Sequence, residues 1–221
     1  MKLIYVYSKK GRLRFVSHLE LQRFLLRALN RTDLPITFSQ GFNPHPLLSI
    51  AGALAMGYES DYEVFEVRVD GEVQREHALQ TMQSALPQEM HVLDVVSRPD
   101  NHPAMMSLVQ MADYEIVPLR EQDALFAAAE AFWSMDSCMG IRKTKSGERE
   151  VDVRQLCKGL KAENGLLRAR LMLTERDTLK PDLLMATLCK LAGIEVPSLR
   201  VCRKGLLGAD AQGQMQLIHL L

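Results

Sequence analysis

The chain has 221 residues, with 27 Lys+Arg against 27 Asp+Glu, 47% hydrophobic and 24% charged. That composition supports a buried core and argues against wholesale disorder. The longest apolar stretch, Leu47–Gly57, contains Ser49 and falls short of the roughly 20 residues of a membrane span, so no transmembrane helix and no membrane partner are expected.

The opening MKLIYVYSKKGRLRF turns charged after Tyr7 and has no apolar signal core, so a cytoplasmic protein is expected. Cys138, Cys157, Cys189 and Cys202 are scattered without a C-x-x-C pair, which reads as reduced thiols rather than a metal knuckle or disulfide scaffold. The neutral total hides segregation: residues 1–50 carry eight Lys/Arg and two Asp/Glu, residues 51–137 four and sixteen, and residues 138–204 fifteen and eight. Either the two basic blocks form one phosphate-facing surface, or the acidic block neutralises them within the fold.

Lys2–Tyr7 alternates and is rich in Ile, Val and Tyr, which predicts a strand. Ser8–Gly11 is a turn, and Arg12–Val16 continues extended. Ser17 with Glu20 three residues on makes a capping box for a helix to about Asn30. Pro35–Phe38 reads as a short strand and Ser39–Pro46 as a Gly/Pro/Asn loop. Tyr62–Val69 is a strand, Gln74–Leu86 a helix and His91–Val96 a strand. After a Pro-containing linker come a strand at Tyr114–Pro118 and a helix at Glu121–Met135. Met139–Lys145 and Glu148–Val151 pair as a basic hairpin, and Asp152–Leu160 reads as a short helix. Leu166–Thr174 is a strand, Pro181–Ala192 a helix and Leu199–Lys204 a strand.

The order β-α-β-β-α-β, repeated with an insertion, predicts an α+β protein of two tandem ferredoxin-like (βαββαβ) domains, with antiparallel sheets and helices on one face. The expected division is 1–98 for the first domain, 99–110 for a linker and 111–221 for a second domain bearing the basic hairpin.

The densest local signal is Phe38-Ser39-Gln40-Gly41-Phe42-Asn43-Pro44-His45-Pro46. Two prolines stiffen this loop, and a stiff loop loses less entropy on binding. It either displays Ser39, Gln40, Asn43 and His45 to a ligand or spends its polar groups on its own backbone. His18, in the first helical turn, joins these candidates, and Arg23 and the hairpin residues Arg142, Lys143 and Lys145 would flank the site. Two histidines make an incomplete metal site, so no metal is expected.

Gly11-Arg12-Leu13-Arg14-Phe15, Ser17-His18-Leu19-Glu20-Leu21, Ser39–Pro46 and the segment Glu150–Leu173 resemble the bacterial radical-SAM-associated family, domain of unknown function 2344. Glu20 stands where the family pattern has Asp, a change that preserves the cap. The resemblance implies an accessory protein working beside a cobalamin-binding radical-SAM protein, close to RNA or ribosome metabolism. It implies no catalytic residues.

The chain lacks the closely spaced cysteine triplet of a radical-SAM enzyme, a phosphate-binding G-x-x-x-x-G-K-[ST] loop, a dinucleotide fingerprint and a G-x-S-x-G elbow, so no cofactor is expected. The carboxylate pairs Asp61/Glu63 and Glu148/Glu150 read as solvated strand faces, and Tyr5, Tyr7, Phe15 and Phe65 as core rather than a stacking platform. The leading reading is a non-catalytic RNA-binding or substrate-presenting partner. The alternatives are an RNA-modifying or RNA-processing enzyme using His18 and His45, and a protein-interaction adaptor.

Overall fold

A computed structural model describes residues 1–144 and 147–221. The fold is mixed α+β, with mostly antiparallel sheet and six helices among the described residues. The chain forms two compact units, Met1–Val109 with Gly205–Leu221, and Gln110–Lys204. Residues 205–221 were expected in the second domain, but they pack into the first unit.

The first unit contains β1 (Lys2–Lys9), α1 (His18–Leu29), β2 (Leu48–Ile50), β3 (Glu59–Arg68), α2 (Arg75–Ser84), β4 (Val92–Arg98) and α3 (Met105–Leu108). Its strands run β4-β1-β3, with β2 added on β3, and every one of these pairings is antiparallel. Leu3, Tyr5, Tyr7, Phe65 and Val67 pack with Leu21, Leu25 and Ala28 of α1 and Ala78 and Met82 of α2.

The other side of this sheet is covered too. Glu66 accepts a hydrogen bond from the Met105 backbone N–H at the start of α3, and Tyr62 meets His219 of the 3-10 turn Ile218–Leu220. Helical structure therefore lies on both faces, not on the single face expected. This is why all of β1 is buried, its lysines included. A strand covered on both sides must satisfy its charges locally. Lys2 Nζ lies 3.7 Å from Glu66 and donates to the His102 carbonyl, and Lys9 Nζ donates to the Val16 carbonyl.

The predicted capping box is present: Glu20 N–H donates to Ser17 Oγ, and Ser17 N–H donates to Glu20 Oε2. Two expectations fail. Arg12–Val16 is not extended but begins as a 3-10 turn, Gly11–Phe15. Pro35–Phe38 contributes only isolated bridges from Ile36 and Phe38, and the second strand is Leu48–Ile50. Proline supplies no N–H to a ladder, whereas the apolar run after Pro46 does.

The second unit contains β5 (Met111–Pro118), α4 (Gln122–Trp133), the hairpin β6 (Met139–Thr144) and β7 (Gly147–Asp152), α5 (Val153–Leu156), β8 (Cys157–Glu163), β9 (Leu166–Met172) and α6 (Pro181–Ala192). β10 (Leu199–Ala209) begins in this unit and ends in the first, where it pairs with β11 (Met215–Leu217). The sheet order here is β10-β5-β9-β8. The hairpin forms a separate two-stranded sheet, with Arg142 opposite Arg149 and Lys143 opposite Glu148. The short helix expected over Asp152–Leu160 stops at Leu156, and an unexpected strand, β8, follows it.

Candidate functional site

In the first unit the proline-braced loop closes on itself. Ser39 N–H donates to the His45 carbonyl and His45 N–H donates to Ser39 Oγ, at 2.8 and 3.1 Å. The imidazole Nδ1 lies 3.0 Å from Ser39 Oγ and 3.3 Å from the Asn43 carbonyl. Ser39 and Asn43 hold the turn, while the imidazole remains exposed. Gly41 has φ +124°, a conformation closed to most side chains, and it swings Phe42 fully into solvent. Gln40 and Asn43 are also exposed at the loop tip.

His45 and Pro46 line a cavity of about 430 Å³ together with Gln22, Leu26, Ser49, Lys2, Glu66 and Arg68. That volume is in the roughly 300–1,000 Å³ range of ordinary ligand sites. Gln22 and Leu26 of α1 thus line the same cavity as the loop. His18 precedes Gln22 by one turn, on the same side of the helix. It is half-buried and not among the lining residues. Arg23 belongs to a different, exposed side of α1 and does not line the cavity.

The lining includes Arg68, His45 and the ion pair of Lys2 with Glu66, so Arg68 is its one charged residue outside that pair. A guanidinium there can meet an anion. Lys2, Gln22, Glu66 and Arg68 were not anticipated: strand register sets Lys2 opposite Arg68 and Ser49 opposite Glu66, and Gln22 comes from α1.

The remaining candidates lie in the second unit. Arg142 is on β6 and donates to the Thr178 carbonyl, Lys143 is the next residue of that strand, and Lys145 lies outside the described residues.

Burial raises the Cys157 thiol to about 11 and moves Cys138 and Cys189 upward as well, which disfavours the thiolates a nucleophile or metal ligand requires. Among the described residues no group of three or more His, Cys, Asp or Glu is placed to hold a metal ion. Glu63 is buried rather than solvated, and Asp61 is paired with Lys10.

No curated protein matches the chain. A family model matches residues 2–181, a span that includes the capped helix, the proline-braced loop and the basic hairpin. The chain belongs to the family described as an uncharacterized protein conserved in bacteria (DUF2344).

Proposed function

We propose that the protein is a non-catalytic accessory factor that binds RNA, is built from two ferredoxin-like domains, and presents its ligand to a cobalamin-binding radical-SAM partner. The domain reading draws on strand order. Taken in the order of their own β-α-β-β-α-β runs, β4-β1-β3-β2 and β10-β5-β9-β8 are the same arrangement, with β6, β7 and α5 as the insertion in the second. The partner reading draws on the likeness of the loop and helix motifs to the radical-SAM-associated family.

The observation that carries the RNA reading is the cavity beside His45. Its walls combine Arg68, Lys2 and Gln22 with the apolar Leu26 and Leu48, which suits a phosphate together with a sugar or base. A preformed cavity on a stiff loop binds without a large ordering cost.

Binding of short single-stranded RNA, measured by filter retention between about 50 and 200 mM salt, tests this. Arg68→Glu is expected to weaken binding about tenfold or more, as loss of a charge-assisted contact does. Chemical alteration of the RNA by the wild type, abolished in His18→Ala with His45→Ala, would replace the accessory reading by an enzymatic one. An absence of RNA binding at the lowest salt would overturn the RNA reading.

A further inference from the structure

In the second unit, β5 and β9 alternate cleanly. Ala112, Tyr114 and Ile116, and Leu167, Ala169 and Leu171, are buried, while Asp113, Glu115, Arg168 and Arg170 emerge on the opposite face. Register lines these up across the strands. Lys161 of β8 stands opposite Arg168 of β9, Arg168 stands opposite Glu115 of β5, and Lys204 Nζ of β10 lies 3.3 Å from Glu115. A second row places Gly159, Arg170 and Asp113 side by side.

These rows form a groove of about 560 Å³, whose wall also includes Lys158 and Trp133. Asp113 and Glu115 are its acidic lining residues, against Lys158, Lys161, Arg168, Arg170 and Lys204. The carboxylates act as braces. Asp113 accepts from both Nε and Nη2 of Arg170, at 2.7 and 2.8 Å, and Arg168 is held between Glu115 and Glu163. Guanidinium groups fixed this way keep further N–H donors for a ligand and lose little freedom on binding.

We infer that this groove is a track for single-stranded RNA, with Trp133 as the residue on which a base stacks. The inference rests on the RNA-binding reading and names a place for it in the second unit. Neighbouring strands are roughly 4.8 Å apart, so four strands give a charged row some 14 Å long, enough for two or three phosphates. Trp133 is 39% exposed, and the Arg154 guanidinium, 4.0 Å from the ring centroid, fixes the indole. Cationic rows beside an aromatic ring are how sequence-tolerant single-strand sites are made, with each stacked base worth about 1–3 kcal/mol. A duplex buries its base faces and cannot use the ring.

Trp133 is the chain's one tryptophan, so intrinsic fluorescence reports on this groove. Titration with a single-stranded oligouridylate should quench that emission, and a duplex of equal length should quench it far less. Lys158→Glu with Lys161→Glu changes two exposed side chains, so circular dichroism should stay native while RNA affinity drops about tenfold or more. Trp133→Phe should remove the signal while anisotropy of labelled RNA still registers binding. RNA that binds by anisotropy without quenching, and equally well in the double-charge variant, overturns the groove and leaves the general RNA reading standing. Absence of binding by either readout ends both.

Discussion

Ser17 and Glu20 illustrate how a few atoms set a helix end. The Ser17 hydroxyl and backbone N–H together hold the Glu20 carboxyl below the usual carboxylate range. That contribution to stability is complete above the ordinary carboxylate pKa and is lost as pH falls through the lowered folded value. Ser17→Ala should cost about 1 kcal/mol in urea denaturation near neutral pH, and the loss should shrink on acidification. Equal destabilisation at all pH values would argue against the Glu20 carboxylate's part in the capping box.

His219 shows the same sign for a different reason. Burial lowers its pKa, outweighing the carboxylate of Asp94, 3.8 Å away. Its neutral ring lies 2.7 Å from the Tyr62 hydroxyl. Stability is thus fully present above the ordinary histidine value and declines as pH drops below it, because the unfolded chain then takes up the proton first. Denaturation curves between about pH 8 and pH 5 should show this decline in the wild type and less of it in His219→Phe. At this scale the capping box was legible in the sequence because its partners are three residues apart. The Tyr62–His219 pair and the cavity residues Lys2 and Arg68 were not, since only long-range pairing brings them together.

Elements with strong local signals lie close to where the pattern puts them. α6 begins at Pro181 and ends before Gly193, whose φ of +67° suits a helix terminus, and both signals are visible in the chain. β8 was misread in part as helix, and β2 lies in a stretch to which the pattern assigned no element. Each is short or follows a helical turn, and each is a strand because a neighbour, β3 or β9, supplies its hydrogen bonds. The return of residues 205–221 to the first unit was also hidden. It depends on Gly208, where an added Cβ would collide with the Leu108 carbonyl and come within 2.8 Å of Leu221. Backbone cannot step aside as a flexible side chain can. Gly208→Ala should therefore destabilise the protein by about 2 kcal/mol or more, measured as a shift of the denaturation midpoint at constant m-value. A neutral substitution would mean that the strand packs elsewhere.

Over the whole molecule, balanced charge is achieved inside each unit rather than by separate acidic and basic regions. In the first, Lys2, Lys10 and Arg14 pair with Glu66, Asp61 and Glu59. In the second, Arg168 and Arg170 pair with Glu115 and Asp113. Of the two expectations for the basic blocks, these pairs support internal neutralisation. The surplus of positive charge stays local, at the cavity beside His45 and along the groove beside Trp133. A protein of zero formal net charge that binds RNA through such patches should still release counterions. The direct measurement is the affinity of the intact chain for single-stranded RNA as a function of salt. The account predicts a straight line of log affinity against log salt whose slope corresponds to several phosphates, made shallower by Arg68→Glu or by the Lys158→Glu, Lys161→Glu pair. A flat line, or no binding at the lowest salt, would contradict it.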